Sequence, residues 1–513
     1  MLELPQIVRH PLRCGALRLS KKSAWRAAAL IAVHALIVAH VAHWKIAGTT
    51  PSPMEPSEAA TTIELGYVNA GFVLFAALIA STLLVGRFFC GWACHLVAYQ
   101  DLCAWLLKKV GLRPLPVRSR LLAFVPLYAA LDMFLWPALQ RSLAGAPPPE
   151  FKGWALTTEN LWERFPGLWI TVATVVVCGG LMVWWLGAKG FCTYGCPYGV
   201  IFGLADRVAP GRIRVTDACE GCGHCTAACT SNVRVHEEVR LYRQVVDSGC
   251  MKCLDCVSVC PKGALYVGFG VPSLLAPRPA QRPARTWDFT WIEELVLTGV
   301  FAVGLWIFRG LYHQVPFLLA IGLAVLLAFS VVLGSRFLRT PSVRFQHLAL
   351  RTDGKWTATG LASLAALVAG AGLTLHSGWI RILTVRGEFA LREAQAAASP
   401  EAAPVRAEAR SRALEALLAS ERFGLFSDGI LQFQLAGIYN DLQDAANVEM
   451  RLRRALEIDP SMTSASLRLA NLLGTRGDVA GALGVLERAA QEAPWDARLR
   501  SMLEAARAAQ GPK

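Results

Sequence analysis

Seven apolar stretches, each bounded by charged or loop-forming positions, set the plan of the chain: 25–44, 66–86, 119–139, 166–187, 291–308, 315–335 and 357–380. A helix needs about 20 mostly apolar residues to cross a bilayer. The pattern therefore predicts a polytopic α-helical membrane protein of about seven spans. Two regions break it. Residues 188–290 are polar and cysteine-rich, and residues 386–513 are rich in Ala, Glu, Arg and Leu at helical spacing. The expected order is residues 1–24 as a cytoplasmic N-terminus, 25–187 as a four-span membrane domain, 188–290 as a cytoplasmic domain, 291–385 as three further spans, and 386–513 as a soluble helical domain.

Charge gives the spans a direction. Arg9, Arg13, Arg18, Lys21, Lys22 and Arg26 precede or open the first span, and only Lys45 follows it. Arg87, Lys108, Lys109, Arg113, Arg118 and Arg120 lie between the second and third spans or at the edge of the third, and Arg336, Arg339, Arg344, Arg351 and Lys355 between the sixth and seventh. Basic loops stay in the cytoplasm. The N-terminus and residues 188–290 are thus expected inside the cell, and the C-terminal domain outside the inner membrane. The first span lacks a small-residue cleavage site and reads as an uncleaved anchor.

The composition agrees: hydrophobic residues are 54% and charged residues 17% of the 513. A net charge of +14 could suggest nucleic acid. Much of it flanks the spans, however, and no nucleic-acid motif accompanies it.

Twelve of the fifteen cysteines fall in short regular runs. Cys219, Cys222, Cys225 and Cys229 form C-x2-C-x2-C-x3-C, and Cys250, Cys253, Cys256 and Cys260, followed by Pro261, repeat it. This is the run of bacterial two-cluster ferredoxins, in which the fourth cysteine of each run ligates the other cluster. The expected ligands are Cys219, Cys222, Cys225 and Cys260 for one 4Fe–4S cluster, and Cys250, Cys253, Cys256 and Cys229 for the other. A pair of zinc knuckles is the rival, but zinc sites take four ligands and not this eight-cysteine run. Thr230 stands where proline usually follows the fourth cysteine of the first run.

Two further pairs close the second and fourth spans. Cys90 and Cys94 follow Arg87-Phe88-Phe89, Cys192 and Cys196 follow Lys189-Gly190-Phe191, and the offset is 102 residues for both cysteines. Three readings stay open for these four thiols: a third metal or iron–sulfur centre, a redox dithiol or transient copper site, and small residues packing between helices. Cys14, Cys103 and Cys178 have no partner pattern and read as packing residues.

With these motifs, residues 60–270 resemble the membrane polyferredoxins of the NapH, NosR and CcoG type. The resemblance implies electron transfer at the cytoplasmic membrane, usually between quinol or quinone and a partner oxidoreductase or cytochrome. The chain departs from the pattern at His95, which replaces the proline after Cys94. It also lacks the immunoglobulin-like end of CcoG-type copper reductases. A copper-reducing assembly factor is the first alternative function. A scaffold or redox sensor with structural clusters is the second.

In the C-terminal region Leu435, Tyr439, Leu452, Ala455 and Pro460 recur 34 residues later as Leu469, Leu473, Leu486, Ala489 and Pro494. That period resembles tetratricopeptide (TPR) repeats, an α-solenoid whose concave face binds a protein partner. Finally, His40, His43, His313 and His376 lie near the outer ends of spans and are candidates for a quinol or haem site.

Overall fold

The computed structural model describes residues 21–112, 114–147, 149–159, 161, 167–277, 287–397, 399–493 and 496–509. Cys14, the arginines at 9, 13, 18 and 113, Pro494 and Lys513 lie outside these residues, as does most of the N-terminal segment 1–24. The chain divides into two compact units: 1–304 with 321–364, and 305–320 with 365–513.

Among the described residues, six helices are long and apolar enough to cross a membrane: Ser23–Ala47, Leu122–Leu143, Leu168–Leu186, Trp291–Phe308, Phe317–Arg339 and Ala358–Ala396. The expected second span, 66–86, is the exception. Tyr67–Asn69 forms a short strand, and the helix proper runs only over Ala70–Val85, 16 residues. Asn69 caps it by accepting a hydrogen bond from the Phe72 amide at 2.8 Å, which fixes its start. At about 1.5 Å per residue this helix is shorter than the hydrocarbon core. The last span also differs in extent. Its helix continues without a break through the expected boundary at residue 385 to Ala396.

In the first unit, the two thiol motifs have the same local architecture. Each is a one-turn helix, Phe88–Trp92 or Gly190–Tyr194, followed by a longer helix, His95–Lys109 or Pro197–Val208. Cys94 and Cys196 occupy the same cap, with φ/ψ of −82°/120° and −79°/112°. The sequence repeat is thus a structural repeat.

The ferredoxin region is built on two antiparallel strands, Gly211–Val215 and Leu265–Phe269. Between them, each cysteine run forms a loop and a one-turn helix, His224–Ala227 or Asp255–Ser258. Left-handed backbone occurs at Gly221 and Gly223 in the first run and at the equivalent Lys252 and Leu254 in the second. Glycine accepts that conformation freely, whereas a side chain there costs about 1–3 kcal/mol. The second loop holds it against its surroundings: Lys252 is 3% exposed.

The second unit is helical. Ala403–Phe423, Gly429–Asp441, Ala445–Ile458, Thr463–Thr475, Val479–Glu492 and Ala497–Ala509 pack in succession. The 34-residue matches Leu435 and Leu469, Leu452 and Leu486, and Ala455 and Ala489 are all buried. A further match escapes the hydrophobic pattern. Asp444 and Asp478 cap their helices by accepting from the amides of Asn447 and Gly481 at 3.1 and 2.8 Å.

Candidate metal centres and their junction

The second cysteine run closes around a small cavity. Its lining includes Cys229, Cys250, Cys253 and Cys256, with Ile213 and Met251. These four cysteines are the set expected to hold one cluster, including the cross-over residue Cys229 from the first run. Burial pushes the Cys229 thiol up to about 12, with Cys250 the next contribution. A buried thiol stays neutral unless a cation or metal compensates its charge, so this sulfur-lined pocket suits an iron–sulfur cluster chemically. The first run is placed differently. Cys219 and Cys222 are exposed and Cys225 and Cys260 half-buried; Cys225 lies within electrostatic reach of Cys222 and Cys219, and burial raises its thiol to about 11. The Cys260 sulfur accepts from the Ala264 amide at 3.3 Å.

The four membrane thiols come together as well. Cys94 lies within electrostatic reach of Cys90 and Cys192, and Cys196 within reach of Cys192, Cys94 and Cys90. Burial, ahead of these neighbours, pushes the Cys94 thiol up to about 12. The Gln100 side chain, on the helix that follows the first pair, reaches the second motif. Its amide donates to Cys192 Sγ at 3.0 Å while its oxygen accepts from the Phe191 amide at 3.2 Å. All described cysteines are free thiols. Among the described residues, no three His, Cys, Asp or Glu side chains converge as ligands of a single ion.

Arg87 is 6% exposed and sits beside the quartet. It is hydrogen-bonded with Cys90, near Cys192 and Cys196, and donates to the Ser248 carbonyl at 2.9 Å. A buried cation beside three of the four sulfurs offsets the charge of thiolates.

The thiol quartet and the second cysteine run meet directly. Trp92 Nε1 donates to the Lys252 carbonyl at 3.0 Å. Gly91 is packed so tightly that a Cβ there would stand 2.4 Å from the Met251 carbonyl and 3.1 Å from Cys253 Cα. Arg26 donates to the Gly91 carbonyl at 2.8 Å and reaches Asp255 at 3.4 Å. Beneath them, the fully buried Asp206 accepts from Lys252 Nζ at 2.7 Å, Arg212 at 2.9 Å and the Arg87 amide at 3.1 Å. Chain proximity of Cys196 to Cys219 would pair the second thiol motif with the first run. The contacts instead seat the first motif on the second run.

On another side of the quartet, His95 Nε2 lies 3.8 Å from Glu55, and the Tyr198 hydroxyl is hydrogen-bonded with Ser57. Tyr198 also lies within electrostatic reach of Glu55, Cys196 and Cys94. Nothing in the spacing of the sequence announces Glu55 or Ser57, because they reach the site from a loop 30 or more residues earlier.

The other candidates have local partners. His40 bonds to the Pro51 carbonyl at 2.9 Å and His43 to Thr50 at 3.1 Å, both in the first unit. In the second unit His376 bonds to the Phe423 carbonyl at 2.9 Å, and His313 lies between Asp428 and Glu388 at 2.7 and 2.9 Å. Cys178 is buried at 4%, and Cys103 is half-buried.

Residues 69–113 and 169–216, the two thiol motifs with their helices, both match the family described as 4Fe-4S binding domain. Residues 218–265 match the 4Fe-4S dicluster domain. The YccM protein of Escherichia coli K12, named for electron transport, is 24% identical over 48% of this chain and 71% of its own length. The methylamine utilization ferredoxin-type protein MauN of Methylorubrum extorquens is 31% identical over 38% of this chain and 66% of its own. The ferredoxin-type protein NapH of Haemophilus influenzae is 27% identical over 37% and 62%. The chain thus spans about two thirds of these relatives. Among solved structures, a thermophilic TPR protein of Thermus thermophilus aligns with 36% of this chain and 80% of its own at 19% identity, with a TM-score of 0.19, too low to bear on the fold. On its 4Fe–4S domains, apolar spans and homologues, this chain is an iron–sulfur electron-transfer protein of the membrane polyferredoxin family that includes NapH, MauN, NirI and YccM.

Proposed function

We propose that this protein carries electrons between a membrane quinol or quinone and a partner oxidoreductase through three metal centres. One 4Fe–4S cluster takes Cys219, Cys222, Cys225 and Cys260, and the second takes Cys250, Cys253, Cys256 and Cys229. The third centre uses Cys90, Cys94, Cys192 and Cys196. The observation that carries this reading is the contact of the sulfur-lined cavity of the second run with the membrane thiols through Gly91 and Trp92. Bound clusters supply one-electron exchange without proton transfer. The chain's own residues hold them, exclude water from the second run, and place Arg87 against the membrane thiols. Burial raises the Cys94 thiol, so a thiolate there needs a bound metal or another cation to offset its charge.

The basic loops put the ferredoxin region and the N-terminus in the cytoplasm and the C-terminal domain outside. His95, Glu55 and Tyr198 offer the hydrogen-bonding groups that a hydroquinone head group uses. Tyr198 lies within electrostatic reach of Cys196 and Cys94. The 34-residue matches in the C-terminal domain support a TPR-like α-solenoid that recruits a protein partner.

Iron analysis and low-temperature EPR of anaerobically purified protein test the reading. About eight irons are expected from the two ferredoxin runs, with more if the membrane thiols also bind iron. Stoichiometric zinc without iron in material kept from air defeats it. Copper bound through Cys90 and Cys94 supports the assembly-factor alternative instead.

A further inference from the structure

We propose that electrons pass from the membrane thiols to the first run through the second-run loop. The exposed first-run loop, residues 216–222, is then the docking face for a protein carrying its own one-electron centre. The inference rests on the reading that both runs hold 4Fe–4S clusters. It adds an order of transfer and a partner surface.

The two runs share one sequence pattern but occupy opposite environments. Cys250, Cys253 and Cys256 are 7–9% exposed. Their loop is fastened to the first thiol motif at three places: Trp92 to the Lys252 carbonyl, Arg87 to the Ser248 carbonyl, and Arg26 between Gly91 and Asp255. Gly91 lets the two backbones touch beside Cys253. Among the described residues, the first-run loop 216–222 has no comparable seat. Residues 216–222 are exposed throughout, including Cys219 and Cys222, and a Cβ at Gly221 or Gly223 would meet nothing within 4 Å.

An electron-transfer protein needs one end insulated toward its internal donor and another open to close approach. Here the insulated end is the second run and the open end is the first. The loop's acidic groups are balanced: Asp217 pairs with Arg243, and Glu220 with Lys262 at 2.8 Å. Recognition therefore rests on close approach to the loop more than on a strong field. Each transfer between centres moves one electron. The donor centre is oxidised as its neighbour is reduced, and no bond or proton moves. The quinol that feeds the chain gives up two electrons in succession and releases its two protons as it becomes quinone.

The test uses the full-length protein in detergent, with duroquinol as donor, cytochrome c as the protein acceptor and rapid-freeze EPR as readout. In Cys222→Ser, which removes the first-run cluster, duroquinol should still reduce the second-run cluster. A second-run cluster that is loaded and reduced by dithionite but not by duroquinol overturns the order. In Cys253→Ser, the first-run cluster should be reduced by dithionite but not by duroquinol. Reduction of that cluster by duroquinol at the wild-type rate overturns the order. If Cys253→Ser loads neither cluster, Gly91→Ala decides. With both clusters present, a tenfold or greater slowing of duroquinol reduction is expected, and an unchanged rate refutes the bridge. Ala218→Trp should slow transfer to cytochrome c at least tenfold without altering cluster reduction. Equal rates overturn the docking face. A protein whose two runs hold no iron defeats the underlying reading, whereas intact clusters wired in another order defeat only this inference.

Discussion

The ammonium of Lys189 is ion-paired with the carboxylate of Asp101, 88 residues earlier in the chain. Lys189 opens the second thiol motif, and Asp101 lies in the helix that follows the first. The converse link also exists: Asp206, in the helix after the second motif, accepts from the amide of Arg87, which opens the first. Each repeat thus holds the entrance of the other.

Asp101 also pairs with Arg26, so its loss leaves two cations without it, Lys189 with a 2% exposed side chain and Arg26 with 10%. Breaking a buried pair by removing one partner costs about 3–5 kcal/mol. Asp101→Asn should lower thermal stability in detergent and disturb the Gln100–Cys192 contact one residue away. A melting temperature equal to wild type would show that the clamp adds no stability.

The four membrane thiols should behave as one unit. If they share a centre, each single serine variant at Cys90, Cys94, Cys192 or Cys196 should remove nearly as much of its EPR signal and iron as the quadruple variant, because groups acting together are non-additive. Graded losses, or none, would return these residues to the role of helix spacers.

His313 gives a pH prediction. Burial alone would lower its pKa from 6.5, but hydrogen bonds to Asp428 and Glu388 and their charges outweigh it and raise the pKa to about 9. A raised folded-state pKa contributes stability that is complete below about pH 6.5 and is lost as pH rises through 9. The shift corresponds to roughly 3 kcal/mol. His313→Asn should therefore destabilise the protein most at pH 6–7, with the gap to wild type closing above pH 9. Thermal melts across that range measure it, and a gap independent of pH would remove the imidazolium from the account.

Membrane sidedness is measurable with reporter fusions after Arg120, Trp287 and Lys513. The first two should report cytoplasm and the third the outside. A cytoplasmic signal at Lys513 means that the Ala358–Ala396 helix does not cross.

The sequence by itself determined the ligand chemistry and most of the helices. Cysteine spacing is local, and three thiols within seven residues define a cluster loop wherever the loop sits. Apolar length is local too, so six of the seven expected spans are long helices; the seventh, Ala70–Val85, is shortened because Tyr67–Asn69 pairs with Gly153–Ala155 instead of continuing the helix. The 34-residue period was legible because burial repeats with it. Tertiary structure alone decided which motif meets which run. Gly91 against Cys253, Asp206 beneath Lys252 and Glu55 beside His95 join residues up to 162 positions apart. No periodicity encodes such pairs. They follow from buried charges needing partners and from two backbones approaching where one residue has no side chain.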